Sequence, residues 1–230
     1  MPILVVITIA AVVVIVIVVS VQQAAQRRRE MQSLADRLGL RFLPQRDSSI
    51  AARLRQFSSF NTGSSRHGLN TITGQTTIRD LTFHIHMGDF RYTVQSGKHS
   101  STITFSYIVL SPPFKEIPGL ILRRQNFLDR IKGALGFSDI SFESETFTRR
   151  FYVQSCDRRF AYDVIHPQMM EYLMQANPQT IDIKHGICCY TNGSGTWTAA
   201  QFESHLGVIS GFFERWPDYL VDSMHARQTA

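Results

Sequence analysis

The chain has 230 residues, with 24 Lys and Arg against 18 Asp and Glu, a formal net charge of +6, 43% hydrophobic residues and three cysteines. That size holds an anchor plus one ordinary domain, and three cysteines make no disulfide framework, which excludes the small cystine-stapled class of secreted domain. Arg27, Arg28 and Arg29 alone supply three of the six net charges, so composition makes nucleic acid only a weak inference as a partner.

Residues 3–21 form an apolar run broken only by Thr8 and Ser20. At about 1.5 Å rise per residue the run matches the roughly 30 Å hydrocarbon core of a bilayer. Ile and Val are weak helix formers in water, but in lipid the backbone must satisfy itself and the segment becomes helical. A cleaved signal peptide needs a basic start, a shorter apolar core and a small-residue cleavage site. Met1-Pro2 brings no charged side chain, and no A-x-A site follows. Residues 1–26 therefore read as a retained transmembrane anchor whose first partner is the lipid bilayer. Arg27, Arg28 and Arg29 form its membrane flank, and the positive-inside rule places the short N-terminus outside and the C-terminal domain in the cytoplasm. The same flank suits a leaflet carrying anionic lipid headgroups.

Residues 27–57 form a juxtamembrane unit. Met31, Leu34, Ala35 and Leu38 share one helical stripe, and Gly39 is a natural C′ residue releasing a short strand over residues 40–44. Asp47 or Ser48 caps a short helix reaching Phe57, with Ile50, Leu54 and Phe57 on its apolar face. Residues 58–68, rich in Ser, Asn and Gly, read as a loop.

Residues 69–230 read as an α+β globular domain. Strands are expected over residues 69–76 and 81–87, the latter alternating apolar and polar residues. Gly88-Asp89 marks a bulge, residues 90–94 continue, Ser96-Gly97-Lys98 turns the chain, and residues 102–110 return. A short strand at residues 120–122 precedes a helix capped by Asn126 and running to Leu135. Residues 147–155 are predicted as a strand, Asp157 caps a helix to Ile165, and Pro167 sits at N1 of a helix stopped by Asn177-Pro178. Residues 180–184 and 187–191 flank His185-Gly186 as a hairpin. Thr198 and Gln201 form a capping box, opening a helix with Phe202, Leu206, Ile209 and Phe213 on one face, and Pro217 ends it before a last turn at residues 219–224. Grouped hairpins without strict β-α-β alternation imply a mainly antiparallel sheet with packed helices.

Several stretches together resemble a family of bacterial single-pass, membrane-anchored proteins of unknown function. They are the anchor with Arg28-Arg29-Glu30 and residues 34–42, then residues 90–98, residues 126–128 leading to 136–142, and residues 147–153. The resemblance implies topology and layout and carries no catalytic residue across. Where such relatives have Asp-Tyr-x-Tyr before the Ser-Gly-Lys turn, this chain has Asp89-Phe90-Arg91-Tyr92, so no role passes to a first tyrosine hydroxyl.

His84 and His86 share a face of a predicted strand, a spacing that suits two metal ligands, with Asp89 and His99 as further donors across the hairpin. The plainer reading makes them the wet side of a strand whose Phe83, Ile85 and Met87 face the core, since a closed zinc site needs four ligands. Cys188 and Cys189 point to opposite faces of a strand, and all three cysteines read as buried free thiols. Arg123-Arg124, Arg149-Arg150 and Arg158-Arg159 are three basic pairs, either scattered, the plainer reading, or gathered into one surface for phospholipid headgroups, nucleic acid or an acidic partner. No Ser-His-Asp order, paired carboxylates, CxxC or dinucleotide fingerprint occurs, and no catalytic residue or cofactor is assigned. The expectation is a non-enzymatic binding or scaffold domain facing a membrane or cytoplasmic protein or anionic headgroups. The alternative is a membrane-anchored hydrolase or metal-dependent enzyme using His84 and His86.

Overall fold

The computed structural model describes residues 2–114, 116–125 and 138–229. The helix expected from Asn126 to Leu135 lies outside the described residues. The first element, α1 (Pro2–Arg37), is one 36-residue helix in two environments. Its apolar side chains from Ile7 to Val21 are exposed, whereas Met31, Leu34 and Ala35 are fully buried. Among the described residues it is the helix long and apolar enough to cross a membrane. Gly39, at φ +65°, ends it, and Leu40 N donates to the Ala35 carbonyl at 2.8 Å.

The sheet comprises β1 (Arg41–Leu43), β2 (Ser64–Ile78), β3 (Leu81–Ser96), β4 (His99–Ser111), β5 (Leu120–Arg124), β6 (Ser138–Ile140), β7 (Phe151–Ser155), β8 (Thr180–Lys184) and β9 (Ile187–Thr191). Their spatial order is β1-β2-β3-β4-β9-β8-β5-β7-β6, and each pairing between these strands is antiparallel. The helices are α2 (Ile50–Arg53), α3 (Glu145–Arg150), α4 (Arg158–Val164), α5 (Pro167–Ala176), α6 (Ala199–Glu214) and α7 (Asp218–Thr229). The fold is thus α+β with a mainly antiparallel sheet, as the grouped hairpins imply.

Each sheet face has its own core, because side chains alternate along a strand. On one face, Phe83, Ile85, Met87, Ile108 and Leu110 pack with Met31 and Leu34 of α1 and with Phe202, Ile209 and Phe213 of α6. On the other, Ile50, Leu54, Phe57 and Phe60 close over Phe90, Phe105 and Tyr107. Cys188 belongs to the first core and Cys189 to the second.

Four local expectations are corrected. Helix α2 stops at Arg53, and a 3-10 turn (Ser58–Phe60) follows. The Phe60 ring lies 4.8 Å from Phe90 and 5.2 Å from Tyr107, so aromatic packing rather than helical period sets this path. Residues 64–68 are strand rather than loop, since Ser64 to Gly68 pairs with Thr93 to Phe90 and the ladder outweighs their poor strand propensity. The bulge lies in β2, between Leu69 and Ile72, opposite Gly88 rather than at it. Residues 145–150 form α3 because the Ser144 hydroxyl caps Phe147 N at 3.3 Å, and the strand begins only at Phe151. In addition, β6 was not expected, and Cys156 is exposed rather than buried. Elsewhere the local chemistry holds: Thr198 N donates to Gln201 Oε1 at 2.8 Å, Gln201 N to Thr198 Oγ1 at 3.2 Å, and Asn177 ends α5 in the left-handed region.

Candidate functional site

Asp89 is a carboxylate in phase with Phe83, Ile85 and Met87, so β3 aims it into the core on the α1 side, where it is 2% exposed. Burying a charge without partners costs several kcal/mol. Here the partners converge from three directions. Arg27 of α1 donates from Nε to Oδ2 at 3.0 Å and from Nη2 to Oδ1 at 2.8 Å. Asn70, in the β2 bulge, donates to Oδ2 at 3.2 Å, and the Ser106 hydroxyl of β4 donates to Oδ1 at 2.7 Å. Arg27 Nη1 also donates to the Trp197 carbonyl at 2.7 Å, and Trp197 N donates to Ser106 Oγ at 2.9 Å. The network ties the anchor helix to β2, β3, β4 and the segment leading into α6. Gly88 makes it possible: a Cβ there would stand 3.0 Å from the carbonyl oxygens of both Leu69 and Asn70.

The three flank arginines therefore differ. Arg27 is locked to Asp89, while Arg28 and Arg29 are exposed. Arg28 lines a cleft of about 640 Å³ between α1 and the sheet, together with Ser20, Gln23, Asn70, Arg91 and Thr196.

His84 and His86 do share a face, but their surroundings differ. His84 is exposed, whereas His86 is half-buried beneath α2. Arg53 Nη2 lies 3.4 Å from His86 Nε2, and the Tyr107 hydroxyl lies 3.1 Å from Nδ1. A guanidinium can only donate, so Nε2 is the acceptor and Nδ1 carries the proton. Burial, and then the Arg53 charge, push His86 down to about 4. Arg53 is held in turn by Asp47. Asp89 faces the opposite side of the sheet, engaged by Arg27, so it does not join the histidines. Among the described residues no group of three or more His, Cys, Asp or Glu is placed to hold a metal ion.

Burial pushes the thiols of Cys188 and Cys189 up, with the nearby Asp182 charge adding to it, the reverse of what a nucleophile needs. The basic pairs divide. Arg123 is buried and donates to Asp182 at 3.3 Å. Arg124 and Arg150 converge on Asn177, through its carbonyl and its Oδ1, and share a pocket of about 350 Å³ with Arg149. Arg158 and Arg159 stay apart on α4. A separate groove of about 690 Å³ is walled by Phe142, Tyr162, Ile165, Met170 and Met174, and its His166 is committed to the Arg215 carbonyl at 2.9 Å.

Sequence reasoning missed the part Asp89 plays. The available signal was its parity: an acidic residue on the core-facing positions of a strand requires a cationic partner from another element.

The described chain is an α+β domain with a nine-stranded antiparallel sheet behind an N-terminal apolar helix. No family model and no curated protein matches it. Among solved structures it is similar to the crystal structure of the mycobacterial trehalose monomycolate transport factor A, with a TM-score of 0.57 and 14% sequence identity, over 82% of this chain and 92% of that one. At that identity the likeness shows the fold.

Proposed function

We propose that this chain is a membrane-tethered binding or scaffold domain, held at a set attitude to the bilayer on the cytoplasmic side, whose partner is a membrane or cytoplasmic protein or an anionic headgroup. The observation that carries this reading is the bidentate Arg27–Asp89 pair, in which the anchor helix itself supplies the counter-ion for a buried carboxylate of the sheet. A flexibly tethered enzyme has no need of such a joint, whereas a scaffold gains from presenting one face at a constant height. Arg28 and Arg29 remain as flank charges favouring the cytoplasmic side. The similar fold belongs to a mycobacterial transport factor, which fits a supporting role beside a membrane transport assembly.

Reporter fusions after Ala230 test the placement. A reporter active only in the cytoplasm is expected to work, and one active only outside is expected to fail; the opposite pattern overturns the cytoplasmic assignment. Metal analysis of the purified full chain tests the non-enzymatic reading, which stoichiometric bound zinc, lost in His84→Ala, would overturn.

A further inference from the structure

We propose that the cleft between α1 and the sheet is a phosphate-binding site for the headgroup of an anionic phospholipid, with Arg28 and Arg91 as its two walls. The inference rests on the membrane-tethered reading above, gives it a site and selects the anionic headgroup among its partners. Its depth comes first. The apolar run ends at Val21, and the cleft begins with Ser20 and Gln23 on the same helix, which puts its mouth where the hydrocarbon gives way to headgroups. Its charge comes second. Arg27, Arg28 and Arg91 face a single carboxylate, Asp89. That carboxylate already accepts four hydrogen bonds, two from Arg27 and one each from Asn70 and Ser106, which fill its acceptor sites. Nothing in the cleft therefore competes for the other two guanidinium groups.

The Arg28 side chain makes no hydrogen bond or ion pair with any described residue. Arg91 uses Nε alone, donating to Thr104 Oγ1 at 3.1 Å, so its two terminal nitrogens are free. Arg91 comes from β3, 63 positions after Arg28, and it stands opposite the helix because the Arg27–Asp89 pair sets the helix against that strand two residues before it. Paired guanidinium forks on facing walls match the oxygens of a phosphate, and anionic lipid on the cytoplasmic leaflet supplies that group at this height. A zwitterionic headgroup brings its own cation among the arginines and binds more weakly.

The test uses the detergent-solubilised full chain, titrated with a short-chain phosphatidylglycerol, a short-chain phosphatidylcholine and inorganic phosphate. The expected result is saturable binding of the phosphatidylglycerol, about tenfold weaker in Arg91→Gln and weaker again in Arg28→Gln/Arg91→Gln, with weaker phosphatidylcholine binding throughout. Arg91→Lys is expected to fall between wild type and Arg91→Gln. Both arginines are exposed, and unchanged thermal melts of the variants would show that the fold is kept. Equal binding by inorganic phosphate would overturn the lipid assignment in favour of a free anion. Equal binding by phosphatidylcholine, or no effect of either substitution, would overturn the site. If lipid binding is absent while the cytoplasmic reporter stays active, this inference fails alone and the tethered-domain reading stands.

Discussion

Arg27 and Asp89 lie 62 positions apart and meet through two parallel hydrogen bonds of 3.0 and 2.8 Å, one from Nε and one from Nη2. The arginine side chain is 18% exposed and the carboxylate 3%, so the pair is largely shielded from water. Its position within two turns after the end of the apolar run makes it the joint between anchor and domain. Met31, Leu34 and Ala35 fix the C-terminal half of the helix by packing, and Arg37 adds an exposed ion pair to Glu203 of α6 at 2.9 Å.

Arg27→Ala leaves Asp89 buried with only Asn70 and Ser106, and about 3 kcal/mol of stability is expected to be lost. Asp89→Ala strands the guanidinium instead and costs a similar amount. Because both changes remove one interaction, the double variant is expected to fall well short of their sum. Urea unfolding of the four proteins in one detergent checks this, and strict additivity would mean that the pair is not coupled.

Gly88→Ala tests why a glycine faces the β2 bulge. The new Cβ meets two backbone carbonyls at 3.0 Å, which cannot swing aside as a side chain can, and the shift displaces Asn70 from Asp89. A loss of about 1–3 kcal/mol is expected in thermal or urea melts.

Stability is expected to fall in mild acid through His86. Its folded-state value is about 4 against an ordinary 6.5, so between those pH values the unfolded chain binds a proton that the folded chain does not. The contribution is complete above pH 6.5 and is lost as pH falls toward 4, amounting to about 3 kcal/mol. His67 and His205, both held below their ordinary values by burial, act in the same direction. Melting temperatures from pH 4 to 7 are expected to slope less in His86→Gln than in the wild type, with the residue of the slope left by those two histidines.

The capping box at the start of α6 supports the segment that gives Arg27 its third acceptor. Thr198→Ala leaves Gln201 N without its cap and is expected to cost about 1 kcal/mol, with Thr198→Ser close to wild type. Chemical denaturation of the two variants distinguishes a cap from a surface residue.

Features set by adjacent residues were legible in the sequence. The anchor, the Gly39 stop, the His185-Gly186 hairpin, Pro167 at N1 and the Thr198 box all follow from chemistry within a few positions. What escaped depends on partners far along the chain. Residues 64–68 look like a loop until β3 is laid beside them, and the bulge falls on β2 because Asn70 takes a positive φ of 51°, which its neighbours do not announce. The short α2 is set by where Phe57 and Phe60 find the rings of β3 and β4. The candidate site shows the same division: Arg27, Arg28 and Arg29 stand out as a basic flank, but only the folded chain separates the one that locks from the two that stay free.

The most direct test of the joint is the distance distribution between spin labels on the anchor and on the sheet, measured by double electron–electron resonance on the full chain in nanodiscs. Labels at Gln22→Cys and Thr102→Cys, both exposed positions, in a Cys156→Ser background report on the turns above the lock. A single narrow distribution is expected, broadening in Arg27→Gln because the helix is then held only from Met31 onward, by packing and by the Arg37–Glu203 pair. A broad distribution in the parent protein, or one whose width ignores Arg27→Gln, would contradict a fixed attitude of domain to membrane.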